Sequence, residues 1–146
     1  MSGTTSRRPI GATLLALALA WLAFGGFGNA VVWRTARDSL QLPETSPLAR
    51  FLEAAASPLF TAIALAYGTT ALAACIGIWR MRPWMTWAFV AWGIAVTAMG
   101  VWLVWAMPSE LLMGGRIAGV VLLAACVALL LVGYRYVRQI APRGAL

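Results

Sequence analysis

Four long apolar segments, separated by short stretches that carry charges or prolines, dominate the hydrophobic pattern of the chain. Each segment reaches the roughly 20 residues that a helix needs to cross about 30 Å of hydrocarbon. The pattern therefore predicts an all-α fold, an integral membrane four-helix bundle that forms a single membrane domain over residues 1–146. The predicted transmembrane helices cover about residues 9–33, 58–79, 83–107 and 111–136.

The short turn Arg80-Met81-Arg82-Pro83 orients the predicted bundle. It joins two apolar segments that carry no charge, so it forms the tip of a transmembrane hairpin. Short loops that contain Lys or Arg resist translocation and stay in the cytoplasm. With the turn in the cytoplasm and four helices in total, we expect the N-terminus and the C-terminus to be cytoplasmic as well.

The distribution of charge over the whole chain agrees with this orientation. On the cytoplasmic side the topology places seven arginines and no acidic residue, and on the opposite side it places four arginines and all four acidic residues. The cytoplasmic set is Arg7, Arg8, Arg80, Arg82, Arg135, Arg138 and Arg143. The outer set is Arg34, Arg37, Arg50, Arg116, Asp38, Glu44, Glu53 and Glu110.

Residues 34–57 form the one long connection, and its second half has a helical pattern. Leu48, Phe51, Leu52 and Ala55 recur at the spacing of one helix face, which predicts a short amphipathic helix over residues 48–56. This helix would lie on the membrane surface or across the mouth of the bundle, either as a fixed cap or as a mobile gate. Ser57 and Pro58 provide an N-cap and a first helical residue for the next membrane helix.

Composition identifies the class of protein and narrows its source. Of the 146 residues, 62% are hydrophobic and 10% are charged, whereas a soluble domain carries about 25% charged residues. The chain is rich in tryptophan, and every basic residue is Arg, which is typical of a GC-rich bacterial gene. We therefore expect a multi-pass protein of the bacterial inner membrane. The net charge of +7 is spread between apolar segments and predicts no nucleic-acid partner.

The chain has no histidine, which removes several kinds of chemistry. Haem ligation by histidine, histidine-containing zinc sites and histidine proton relays are all excluded. The two cysteines and four carboxylates show no spacing typical of metal ligands, and no nucleophile is paired with a base. We expect no catalytic residues, no metal, no cofactor and no enzymatic activity.

Small residues predict where helices pack closely. Glycines within membrane helices allow two backbones to approach, either within one chain or between chains. The candidate packing residues are Gly25, Gly28, Gly68, Gly115 and Gly119.

Polar residues in the outer halves of the helices define a candidate binding site. If their helix faces converge, they would line an outward-facing cleft beneath the 34–57 connection, suited to an amphipathic or anionic molecule. The candidate residues are Asn29, Thr61, Tyr67, Thr70 and Arg116. Arg116 would be the anion-binding group, although a long arginine side chain can also extend outward to the membrane surface.

These observations favour an accessory, scaffold or assembly subunit that acts through contacts between helices. Its partners would be the lipid bilayer and either another membrane protein or a second copy of the chain. The alternative is a transporter or sensor that binds a small molecule in the outer cleft.

Overall fold

The computed structural model describes residues 9–40, 42–108 and 115–141, which contain five helices and no strand. Four of these helices are long and apolar enough to cross a membrane, which indicates a multi-pass membrane protein. The predicted all-α class and the predicted number of spanning helices are therefore confirmed. The helices are α1 (Ile10–Ser39), α2 (Pro47–Ala55), α3 (Pro58–Trp79), α4 (Met85–Ala106) and α5 (Gly115–Ile140).

α1 continues to Ser39, beyond the predicted end at residue 33. The predicted end was the last residue of the apolar segment. A helix can continue beyond such a segment into water, because its backbone hydrogen bonds do not depend on apolar side chains. No proline or glycine interrupts residues 34–39. The hydroxyls of Thr35 and Ser39 donate to the carbonyls of Val31 and Ala36, at 3.1 and 3.2 Å. The connection from α1 to α2 is correspondingly shorter than predicted.

α1 packs against α3 through a row of small residues. The buried positions of α1 are separated alternately by four and three residues, so they lie on one face of the helix. They are Ala12, Ala16, Leu19, Ala23, Gly26 and Ala30. The matching face of α3 consists of Ala64, Gly68, Ala71, Ala74 and Ile78. Because most of these side chains are a methyl group or a hydrogen, the two backbones approach closely.

The two backbones come close together at Gly26 and Gly68. A Cβ atom added to Gly26 would lie 2.8 Å from the Cα of Gly68 and 2.9 Å from its backbone nitrogen. A Cβ atom added to Gly68 would lie 3.3 Å from the carbonyl oxygen of Ala23. Of the predicted packing glycines, Gly68 therefore does pack within the chain, and Gly26 is its partner.

The α3–α4 hairpin closes through hydrogen bonds at the end of α3. The amide of Arg82 donates to the carbonyl of Gly77 at 2.9 Å, and the amide of Met81 donates to Ile78 at 3.2 Å. This pair of bonds is a Schellman motif, and Met81 occupies its left-handed position with φ of 49°. The turn predicted at residues 80–83 is confirmed. α4 begins at Met85, two residues after the predicted start at Pro83.

α5 contacts α4 in an antiparallel arrangement. Leu123 and Leu130 of α5 lie against Gly100 and Gly93 of α4, and Phe89 of α4 lies against Gly133 of α5. Each contact places a large side chain over a glycine. The predicted start of the last helix, near residue 111, lies outside the described residues.

α2 is the predicted amphipathic helix and begins at Pro47. Its buried residues are Phe51, Leu52 and Ala55, three of the four positions in the predicted pattern. The hydroxyl of Ser57 accepts from the amide of Phe60 at 3.2 Å, so Ser57 is the N-cap of α3 as predicted.

Replacing Gly26 by alanine should destabilise the bundle by about 1–3 kcal/mol, because the added methyl group overlaps the backbone of α3. Gly28→Ala is the matched control, since nothing lies within 4 Å of a Cβ atom at Gly28. The control should be neutral or should stabilise α1 by up to ~1 kcal/mol. Thermal unfolding in detergent, followed by tryptophan fluorescence, measures both. Equal effects of the two variants would contradict the observed packing.

Candidate functional site

A cleft of about 580 Å³ lies among the four long helices. We call it the outer cleft, because it occupies the half of the bundle that includes the ends of α1 and α4 and the start of α5. Asn29 and Trp21 line it from α1, Tyr67 lines it from α3, and Gly119 and Cys126 line it from α5. α4 contributes one side of the cleft, from Val96 to Met107.

In the described part of the chain, α1 and α5 meet near the start of α1, and the outer cleft lies between them farther along the bundle. Near the start of α1, Tyr136 of α5 lies against Gly11. Val137 of α5 is fully buried in the same cluster as Ala12 and Ala16. Towards the other end, residues of α1 and α5 line opposite sides of the cleft. The cleft is therefore closed at one end by side chains and is bounded laterally by α1 and α5.

The outer cleft contains two of the five residues proposed as a ligand site, Asn29 and Tyr67. The other three do not line it. The hydroxyl of Thr61 donates to the carbonyl of Ser57 at 3.1 Å, and the hydroxyl of Thr70 donates to the carbonyl of Ala66 at 2.6 Å. Both threonines therefore bond to their own helix. Arg116 is exposed on α5 and does not line the cleft.

The predicted packing glycines also occupy different environments. Gly25 lines the outer cleft and Gly119 lies opposite it on α5, so both leave space in the cleft. Gly25 and Gly28 have nothing within 4 Å of an added Cβ atom. Gly115 is the first residue of α5. The glycine of α1 that lies against the backbone of α3 is Gly26, which is not among the predicted packing residues.

The lining of the outer cleft is apolar and uncharged apart from a few hydrogen-bonding groups. None of the described residues that line it is charged. Asn29 offers a carboxamide and Tyr67 offers a hydroxyl. Behind Tyr67 lies Trp92, whose ring centroid is 6.4 Å from that of Tyr67. The indole N–H of Trp92 is buried and has no acceptor in hydrogen-bond geometry within the described residues.

A second groove, of about 880 Å³, lies between α4 and α5 on the other side of their contact. We call it the α4–α5 groove. Its lining includes Trp102 and Trp105 of α4 and Tyr134 of α5. This groove is not predictable from the sequence alone, because it depends on how α4 and α5 contact each other, through large side chains placed over a few glycines.

Aromatic rings connect α2 to the helices beneath it. Trp33 and Phe51 meet edge to face with ring centroids 5.4 Å apart, and Phe60 and Trp102 lie 4.4 Å apart. Phe51 also lies 6.5 Å from Trp102. We call these four residues the aromatic cluster. It joins α1, α2, α3 and α4 at one end of the bundle, and α2 covers the helices there.

The described residues contain no group of three or more His, Cys, Asp or Glu side chains that could hold a metal ion. Comparison with protein-family models, with curated proteins and with solved structures finds no match.

Truncating Phe51 to alanine should loosen α2 while leaving the four long helices in place, because Phe51 is the residue of α2 within the aromatic cluster. Truncating a buried phenylalanine costs about 3–5 kcal/mol. Hydrogen exchange of the α2 amides should therefore become at least about ten-fold faster. Leu48→Ala is the control in the same helix, since Leu48 is partly exposed. Unchanged exchange in Phe51→Ala would show that the cluster does not hold α2.

Proposed function

We propose that the protein is a membrane-embedded accessory or assembly subunit that binds a transmembrane helix of another protein through the free face of α5. The observation that carries the proposal is the low burial of α5 within the chain. Only 6% of its most apolar 18-residue segment is buried, compared with 28% in α1 and in α3 and 17% in α4.

The free face of α5 carries a row of alanines and valines between larger exposed side chains such as Leu122 and Leu129. We call it the α5 stripe. It consists of Ala118, Val121, Ala125, Ala128 and Val132, spaced alternately by three and four residues. Leu123 and Leu130, which contact α4, lie on the opposite side of the helix at about 100° per residue. All stripe residues except the half-buried Ala118 are exposed.

The contact between α1 and α3 shows how a row of small residues packs against another helix. The face of α1 that packs on α3 has the same alternation of three- and four-residue intervals and a similar content of alanine. In a membrane, lipid tails are as apolar as leucine, so helices associate through close van der Waals packing between small residues. The α5 stripe is thus suited to bind another helix in the way that α1 binds α3.

The charge distribution supports placement in a bacterial inner membrane with both termini in the cytoplasm. Arg80 and Arg82 lie in the α3–α4 turn, and Arg135 and Arg138 lie at the same end of the bundle on the last turns of α5. Asp38 and Glu53 lie at the opposite end, on α1 and α2. The positive-inside rule then assigns the arginine-rich end to the cytoplasm.

A second candidate function is supported by the outer cleft. A small-molecule sensor or transporter needs a concave apolar site with a few polar groups, and Asn29 and Tyr67 provide such groups. Neither proposal gives the chain a catalytic role.

The proposed orientation predicts opposite labelling of two single-cysteine variants. Ser46→Cys, before α2, should react with a membrane-impermeant maleimide in intact spheroplasts. Met81→Cys, in the α3–α4 turn, should react only after the membrane is permeabilised. Both variants are made with Cys75→Ala and Cys126→Ala to remove the native thiols. The reverse pattern would contradict the proposed topology.

The α5 stripe predicts that bulky substitutions remove a partner without unfolding the chain. Native mass spectrometry of protein extracted in its own lipids should show the chain together with another polypeptide. In the double variant Ala125→Leu and Ala128→Leu, the fraction of this complex should fall at least about ten-fold, because added side chains keep the backbones apart.

Ala20→Leu is the matched control, since Ala20 is an exposed alanine on α1 rather than on α5. It should retain the complex, and all three proteins should have the same unfolding temperature. A wild-type chain that is a monomer in its own lipids, or a complex that survives in the double variant, would contradict the proposal.

A further inference from the structure

We propose that the outer cleft binds one neutral, carbonyl-bearing amphiphile that enters sideways from the outer leaflet of the membrane. The inference goes beyond the accessory function and uses the membrane placement proposed above. It concerns a different face of α5 from the stripe.

The dimensions of the cleft match one leaflet. Its α4 side extends from Val96 to Met107, which are separated by roughly 16 Å along the helix axis. Half of the hydrocarbon thickness of a bilayer is about 15 Å. Its volume of about 580 Å³ lies within the range of roughly 300–1,000 Å³ that is usual for small-molecule sites.

The closed end of the cleft favours a small molecule over a partner helix. A membrane-spanning helix needs about 20 residues along the full thickness of the bilayer. Tyr136 of α5 lies against Gly11 of α1, and Val137 is buried in the same core. The two helices therefore meet, and the outer cleft ends before it reaches the other surface of the membrane. An occupant confined to one leaflet fits this shape.

The packing of α2 next to the outer cleft favours entry of the ligand from the side. Met99, Leu103 and Met107 line the outer cleft and also pack against the buried cluster that includes Phe51 and Ala55 of α2. α2 therefore packs on the same side chains of α4 that form one wall of the outer cleft. In our proposal the ligand enters from the lipid through the gap between α1 and α5, which both line the cleft.

The chemistry of the lining selects for a neutral ligand with an oxygen acceptor. None of the described residues that line the cleft is charged, so a charged ligand group would find no counter-ion among them. The carboxamide of Asn29 and the hydroxyl of Tyr67 can both donate to a carbonyl oxygen. The buried indole N–H of Trp92 has no acceptor among the described residues, and its ring lies 6.4 Å from that of Tyr67, whose hydroxyl can accept as well as donate.

The test compares two probes in nanodiscs of defined lipid: decylubiquinone, which carries carbonyl groups, and decylbenzene, which does not. The bound fraction is measured by native mass spectrometry as each probe is added to the lipid. We expect one decylubiquinone per chain in the wild type. Tyr67→Phe and Asn29→Leu should each weaken the binding of decylubiquinone by roughly 2- to 10-fold, which is the effect of losing one hydrogen bond. Neither substitution should weaken the binding of decylbenzene.

A matched pair of glycine variants tests whether the probe binds in the outer cleft. Gly25→Leu fills the cleft, whereas Gly28→Leu adds the same side chain three residues away on the same helix and outside the cleft lining. Gly25→Leu should weaken binding at least ten-fold, while Gly28→Leu and Thr70→Val should bind like the wild type. Circular dichroism and unfolding temperatures establish that every variant is folded.

Three results would overturn the proposal. The first is no stoichiometric binding of decylubiquinone by the wild type, and the second is equal loss of binding in Gly25→Leu and Gly28→Leu. The third is unchanged decylubiquinone binding in both Tyr67→Phe and Asn29→Leu, which would show that the site does not recognise the carbonyl group. Because the α5 stripe is intact in all these variants, each result is independent of whether a partner polypeptide binds there.

Discussion

The structure depends on the close approach of α1 and α3. In water, burial of large apolar side chains would drive such a contact, but between membrane helices the gain comes from contact distance and the resulting van der Waals attraction. Gly26 and Gly68 have no side chain, and the neighbouring alanines add one carbon each, so the two backbones come close together at this crossing. α4 packs onto α3 of this pair, to which the short hairpin turn connects it.

α5 is attached by a different principle, and the cavities follow from it. Large side chains cover glycines at a few positions along α4 and α5, which holds the helices side by side without continuous contact between their backbones. Space remains on both sides of that contact, as the outer cleft and the α4–α5 groove. The same loose attachment leaves the small residues of α5 on its free side. The proposed binding site and the proposed partner surface can therefore coexist on one helix.

The sequence predicted the spanning helices, the hairpin turn and the amphipathic α2 because each depends on local composition and spacing. It did not predict which glycine of α1 packs, because that depends on the rotation of α1 about its axis. A usable signal was nevertheless present: the alternation of four and three residues that starts at Ala12 passes through Gly26 and avoids Gly25 and Gly28. The end of α1 was misplaced because the prediction equated the end of the apolar segment with the end of the helix.

The candidate site was only partly predictable for a related reason. Depth in the membrane can be estimated by counting residues, and Asn29 and Tyr67 were grouped in that way. Direction around each helix cannot be obtained from depth. Thr61 and Thr70 bond to carbonyls of their own helix, a local interaction that competes with any role in a cleft. Arg116 lies at a suitable position along α5 but is exposed outside the cleft lining.

The proposed lateral route into the outer cleft determines what solvent a ligand would leave when it binds. A molecule entering from between α1 and α5 moves from hydrocarbon to hydrocarbon, so its apolar part gains almost no transfer free energy. Occupancy then follows the mole fraction of the ligand in the surrounding leaflet rather than its concentration in water. Discrimination between ligands would then depend on the two polar side chains, Asn29 and Tyr67. A change in the lipid composition of the membrane would by itself change the occupancy of the proposed site.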